Sequence, residues 1–420
     1  MSDTGPVRFA ALRHRNFAIL WSGLIVSNVG TTMQNAAMGW LMWELKHSPL
    51  WLGYLGLSFA LPMCVVPLFS GAAIDRVNRI ALLYVTQTAA LLIAVALAVL
   101  TYSGHLTVWA LLGASLLGAT FLGFDSPTRQ ALIPDLVPPR VLLNAISLNS
   151  ASYNGALLLG PAIAGVLLGE YGLAGAGMVF VLNAVSFLAV ILALLLLRDV
   201  RTHAGGEPGP VLRALRDGFA FVWRRRLVFG LLGLSALTAV LGRSFQPLLP
   251  NFNALWHGGS GAYGFLLAGA GAGALIGAFA LSAMHELRNQ SAIMVGSGLV
   301  FALSVIAVAL SPNLVFGGAM VFVSGVSATV FGAITATYIQ IATPHELRGR
   351  VMSLYTITLI GLPSLGALGV GALAESLGGA QGTPRAVLLG GAVLLVVMVV
   401  SAPRLLRAHP GEHPAAERRS

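Results

Sequence analysis

Twelve apolar runs, each long enough to cross a bilayer, divide this 420-residue chain. They lie at about 16–43, 50–73, 80–102, 107–124, 142–168, 173–197, 227–249, 261–283, 291–310, 313–339, 351–375 and 386–403. A hydrocarbon core about 30 Å thick takes roughly 20 apolar residues per helical crossing, so a polytopic all-α membrane protein is the one class that fits. With only 9% charged residues against 57% hydrophobic ones, the chain lacks the roughly 25% charge with which soluble domains cover their surface. Disordered, collagen-like and disulfide-scaffold classes fall too, since charge is scarce, glycine has no triplet period and Cys64 is the single cysteine. The first run is too long for a signal-peptide core and has no small-residue cleavage site behind it, so it is expected to stay in the mature protein.

The 24 basic residues, all Arg except Lys46, set the orientation. Twenty-one fall in alternate segments between the runs; the other segments hold only Lys46 and Arg385, and Arg243 lies inside a run. Basic residues collect on the cytoplasmic side, which predicts both termini in the cytoplasm and an even number of spans. A net charge of +10 suits nucleic acid only where basic residues share a wet face, so no nucleic-acid partner is expected. The nine histidines sit in loops or near span ends, and one thiol makes no multi-thiolate site, so no metal and no cofactor are expected. No G-x-x-x-x-G-K-[ST] motif occurs, which removes ATP as the direct energy source.

The longest loop, about 198–226, joins a Gly/Pro stretch (Gly205 to Pro210) to a basic amphipathic stretch ending in Arg224, Arg225 and Arg226. It reads as a cytoplasmic linker lying at the membrane surface between an N-terminal bundle, 1–197, and a C-terminal bundle with a short tail, 227–420. An offset of 206 residues supports the division. It carries Gly155, Gly160 and Gly165 onto Gly361, Gly366 and Gly371, Gly71 onto Gly277, and Pro138 onto Pro344. The expectation is twelve transmembrane helices in two pseudo-symmetric six-helix bundles.

Three motifs carry a resemblance. The second loop reads Gly71-Ala-Ala-Ile-Asp75-Arg76-Val-Asn78-Arg79, and the fifth run holds Gly155-Ala-Leu-Leu-Leu-Gly160-Pro161-Ala-Ile-Ala-Gly165. The third stretch runs from Phe124-Asp125-Ser-Pro127-Thr-Arg129 to Pro138. The first resembles the loop motif of the major facilitator superfamily, with Asn78 in place of a glycine and Ile80 in place of its last basic residue. The second resembles that superfamily's antiporter motif, with Ala164 replacing a glycine. The third is similar to the enterobactin-exporter and transmembrane secretion effector branch. On residue chemistry alone the loop reads either as a gate or as a turn with solvated charges, and the glycine run reads either as a mechanical joint or as ordinary small-residue packing. The resemblance implies the first of each pair. Gly71, Asp75, Arg76 and Arg79, with Asp125 and Arg129, then form a charge network that makes contacts in one access state and breaks them in the other. It also implies export through the motif of Gly155, Gly160, Pro161 and Gly165.

Ionisable residues inside a bilayer are functional candidates by default. Arg243 stands well inside the seventh run, where it reads either as a site for an anionic or catechol-like substrate or as an arginine snorkelling outward. Asn28, Thr31, Thr32 and Asn35 recur on one face of the first run. In the superfamily the first, fourth, seventh and tenth spans line the cavity, which adds Gln34, Gln246 and Ser324; interhelical hydrogen bonding is the other reading for each. The resemblance implies a secondary transporter, not an enzyme, in a bacterial inner membrane. It would export a small amphipathic molecule, a siderophore or a drug, against proton entry and act as a monomer. Import or facilitated uptake on the same fold is the alternative, and a non-transporting receptor or scaffold is the alternative of a different class.

Overall fold

The computed structural model describes residues 9–74, 77–198, 219–283 and 289–407, and among these no strand occurs. Ten helical stretches are long and apolar enough to cross a membrane. One of them, Pro139–Leu195, is 57 residues long, about 85 Å of continuous helix and far more than one crossing needs. It folds back at Gly172, whose φ of 55° and ψ of −127° belong to a region essentially reserved for glycine. The helix Arg15–Lys46, 32 residues, supplies the remaining crossing; its row of Asn, Thr and Gln side chains lowers its hydropathy. Among the described residues the spans therefore number twelve.

In order they are Arg15–Lys46, Pro49–Ile74, Arg79–Tyr102, Val108–Leu136, and the two limbs of Leu142–Leu195 as fifth and sixth. The seventh runs from Arg226 to Leu255 with two changes of winding, and the rest are Ser260–Ala283, Gln290–Ala309, Leu314–Ile341, His345–Ser376 and Thr383–Leu406. Residues 199–218 of the linker lie outside the described part; 219–224 are helical, and Arg225 interrupts the helix before the seventh span begins.

The third span shows how lipid and protein divide one helix. Val85, Leu92 and Val99, spaced by seven, are about 60% exposed (59%, 62% and 60%), whereas Leu83, Thr86, Gln87, Ala94 and Leu97 are buried. The outward stripe is apolar, whereas Thr86 and Gln87 are turned inward among apolar neighbours, the inverse of a soluble helix. Its start is fixed by Asn78, whose side chain accepts from the backbone of Ile80 and Ala81. The fourth span extends beyond the run that ends at 124. It continues through Pro127 and Pro134 to Leu136, with the Thr128 hydroxyl bonded to the Phe124 carbonyl at 2.6 Å. Asp125 is consequently inside the helix and not at its end.

The chain packs into two compact units. The first comprises Met1–His47, Ser58–Pro208 and Gly258–Ala268, and the second Ser48–Leu57, Gly209–His257 and Gly269–Ser420. Within the first, a Cβ on Gly160 would stand 2.8 Å from the Val29 carbonyl oxygen of the first span, and one on Gly165 would stand 2.7 Å from Gly264 Cα of the eighth. Within the second, a Cβ on Gly366 would stand 2.8 Å from Val240 Cα of the seventh span, and one on Gly371 would stand 2.7 Å from the Pro49 carbonyl oxygen of the second. The 206-residue repeat thus places matching glycines at matching helix crossings, where only a missing side chain lets backbones approach this closely.

At the hairpin between the fifth and sixth spans, a Cβ on Gly175 would lie 2.6 Å from the Leu167 carbonyl carbon. Ala in place of Gly172 is expected to destabilise the protein by about 1–3 kcal/mol, read as earlier thermal unfolding in detergent. An unchanged unfolding temperature would show that the bend does not depend on glycine.

Candidate functional site: a charge network inside the first unit

Asp125 is the one fully buried carboxylate among the described residues, 2% exposed. Gln87, its hydrogen-bond partner, lies eight residues along the third span from Arg79, about 12 Å deeper by helical rise. Three side chains hold the carboxylate. The Thr86 hydroxyl and the Gln87 amide donate to Oδ1 at 2.9 and 2.7 Å. Arg129, one turn along the fourth span, both hydrogen-bonds and ion-pairs with Oδ2. An unpaired Asp at the centre of a span costs about 3 kcal/mol on insertion scales; here the cation and the two donors offset that cost. Gln87 Oε1 is buried and has no hydrogen-bond partner. With its amide turned over, the Gln87 carbonyl oxygen would accept a hydrogen bond from a neutral Asp125 acid, so one side chain suits both forms of the acid.

Arg129 extends the network to the first span. It donates to Asn28 Oδ1 at 3.5 Å, and Asn28 in turn donates to the Ser152 hydroxyl at 3.1 Å on the fifth span. Thr32 is occupied by backbone, including the Ala156 carbonyl at 2.7 Å. Gln34 accepts from Asn183 of the sixth span at 2.9 Å. Thr31, Gln34 and Asn35 line a cavity of about 60 Å³ together with Gln87, Asp125 and Arg129, room for water and not for a drug-sized molecule. On its other side Arg129 lines a second cavity of about 460 Å³ with Asn28, Gln130, Asn149 and Asn154. Asp125 and Arg129 thus both line the small cavity, and Arg129 alone reaches the larger one.

The remaining candidates fall elsewhere. Arg79 pairs with Asp135 at 2.7 Å and with the Ala131 carbonyl at 3.0 Å, not with Asp125. Gly71 lies in the last turns of the second span, and Asp75 and Arg76 lie outside the described residues. Gly160 and Gly165 sit at close crossings, buried Pro161 lies between them, and Gly155 meets open space. Ser324 is fully buried and donates to the Val321 carbonyl. Arg243 and Gln246 belong to the second unit, in a 3-10 turn that carries Pro247.

Several partners escaped the sequence reading: Asp135, Thr86, Gln87, Ser152 and Asn183. The run Thr86-Gln87-Thr88 inside an otherwise apolar span was the available signal. For Asn183 the signal was one amide in a long apolar run.

Comparison with known proteins settles the family. The transmembrane secretion effector profile matches residues 6–417. The chain belongs to that family. This transmembrane secretion effector protein is similar to a staphyloferrin A transporter of Staphylococcus aureus, 24% identical over 344 residues, 81% of this chain and 85% of the relative. It is similar to the multidrug efflux pump Tap of Mycolicibacterium fortuitum, 25% identical over 403 residues, 92% and 95% of the two chains. It is also similar to the enterobactin exporter EntS of Shigella boydii, 27% identical over 278 residues, 64% of each chain. Among solved structures, a bacterial homologue of the iron transporter ferroportin in an inward-facing state matches with a TM-score of 0.73 at 16% identity, covering 94% of this chain and 99% of that one. The nucleoside transporter NupG matches with a TM-score of 0.74 at 11% identity, covering 94% and 100%. The fold is that of the major facilitator superfamily, and the chain is a multi-pass membrane transporter, not an enzyme.

Proposed function

We propose that this transmembrane secretion effector protein exports a small amphipathic molecule by alternating access, each cycle coupled to proton entry. The observation that carries the proposal is the buried Asp125–Arg129 pair, whose arginine lines two cavities. A proton arriving at Asp125 neutralises the carboxylate and weakens its hold on Arg129. The guanidinium then turns to Asn28 and carries the change from the third and fourth spans to the first and fifth. Two lines of similarity support the direction: relatives named as an exporter of enterobactin and as a multidrug efflux pump. The bilayer is a bacterial inner membrane with both termini in the cytoplasm, and the working unit is a monomer of two bundles, 1–197 and 227–420, joined by 198–226. Asp75, Arg76 and Arg79 close the cytoplasmic side as a latch, Arg79 in company with Asp135.

Accumulation of a panel of fluorescent amphipathic dyes tests this reading in cells with and without the gene. Lower accumulation in expressing cells, abolished by a protonophore, is the expected result. Higher accumulation would make the protein an importer, and efflux indifferent to the protonophore would remove the proton.

A further inference from the structure

The seventh span changes its winding twice in one crossing. An α-helix to Leu237 is followed by a π segment, Thr238–Gly242, and a 3-10 segment, Arg243–Leu248. Such interruptions expose backbone and redirect side chains, and they gather at functional positions. Three neighbours hold this one in place. A Cβ on Gly242 would lie 2.9 Å from the Leu394 side chain and 3.0 Å from Phe301, while Gly366 of the eleventh span presses on Val240. Arg243 is the first residue past the π segment, so its direction is set by packed backbone.

The cavity it lines measures about 320 Å³ and is lined by the seventh, tenth and eleventh spans of the second unit. That volume falls within the range of small-molecule sites. Its walls are apolar, with Ala239, Phe331, Ala333 and Leu359. Four hydroxyls also reach it, those of Ser235, Thr238, Thr329 and Tyr355, and three of them have already given their proton to a backbone carbonyl. Ser235 donates to Leu231 at 2.9 Å, Thr238 to Leu234 at 2.8 Å and Tyr355 to Gly332 at 2.8 Å. Among the described residues no carboxylate or other acceptor lies within hydrogen-bond reach of the Arg243 guanidinium. The cavity therefore combines a greasy wall with one multi-donor cation that no described carboxylate neutralises, which is the complement of an anion carried on an apolar body.

We infer that this cavity binds the anionic head of the transported molecule, with Arg243 as the charge that selects it and the alanine-rich face of the tenth span as the seat for its apolar part. The inference rests on the transport reading above and narrows it to amphipathic anions. Neutral molecules of the same shape find the wall and no partner for the cation.

Isothermal titration of the full chain in neutral-lipid nanodiscs tests it, with naphthalenesulfonate as the probe and naphthalenesulfonamide as its uncharged counterpart. The unaltered protein is expected to bind the sulfonate about tenfold or more tightly than the sulfonamide. Arg243→Gln should bring the two to equal affinity without lowering thermal stability, because it removes an unneutralised cation from the span. Arg243→Lys should retain a preference for the sulfonate. Ala333→Phe, which fills the cavity without touching the charge, should weaken both probes. Equal affinities in the unaltered protein, or a preference that survives Arg243→Gln, would overturn the site. No gradient is applied, so the two readings fail separately. Sulfonate binding without dye efflux would reject transport alone, and protonophore-sensitive efflux without a sulfonate preference would reject the anion site alone.

Discussion

Asp125→Asn is expected to reduce proton-coupled efflux to the level of cells lacking the gene, while the protein still inserts into the membrane. Asparagine keeps an oxygen where Thr86 and Gln87 donate, so the neighbouring hydrogen bonds survive. What disappears is the charge that holds Arg129, and with it the event that a proton would trigger. Removing one partner of a buried ion pair costs about 3–5 kcal/mol because the other charge is stranded. That figure would apply in full if Arg129 had nowhere to go; its bond to Asn28 and the 460 Å³ cavity beside it place the loss toward the lower end. The pair Asp125→Asn with Arg129→Gln removes both charges and should recover most of the lost stability without recovering transport. Stability is read by thermal unfolding and coupling by protonophore-sensitive efflux. Efflux at the unaltered rate by Asp125→Asn would remove this residue from the coupling step.

The second large effect concerns glycine crossings. A Cβ on Gly264 would stand 2.5 Å from the Pro161 carbonyl oxygen and 2.7 Å from Gly165 N, both backbone atoms that do not yield as a flexible side chain would. Trp40 stacks on Tyr263 just beside this contact, with ring centroids 5.9 Å apart, so the eighth span has little freedom to shift. Overpacking of this kind costs about 1–3 kcal/mol. Falling only on the state in which the two helices touch, a cost of about 2 kcal/mol changes its population roughly thirtyfold. Gly264→Val, and Gly371→Val at the matching crossing with Pro49, are each expected to lower efflux about tenfold or more by this population argument. Gly155→Ala is the control, since nothing lies within 4 Å of its Cβ position, and should leave efflux unchanged. Equal damage at all three positions would show general intolerance of the fifth, eighth and eleventh spans in place of a specific contact.

The crossings were legible in the sequence because hydrocarbon imposes a length and a polarity that hydropathy reports directly. The first helix begins at Arg15 and the third at Arg79, each within one residue of its apolar run. The matched glycines were legible as a spacing. Partner choice was not legible, because it depends on which faces of separate helices meet. Arg79 and Asp125 are both marked by their charge, but Arg79 goes to Asp135 and Asp125 to Arg129. The extension of the fourth span past 124 was hidden by its own polar residues, since Asp125, Arg129 and Gln130 resemble a loop to any hydropathy measure. The same residues are tolerated in a helix because they bond one another or line a cavity. The π segment of the seventh span leaves no mark in composition. Gly366 packs closely on Val240 within it, and only Pro247 hinted at irregularity there.

The claim on which the rest depends is that Asp125 takes up and releases a proton in the working cycle. Infrared difference spectroscopy of the reconstituted protein, recorded as the pH is lowered, observes that event without knowledge of the substrate. A protonated-carboxyl carbonyl band that is present in the unaltered protein and missing from Asp125→Asn is the predicted result. Identical difference spectra from the two proteins, across the pH range in which dye efflux responds to the proton gradient, would contradict it.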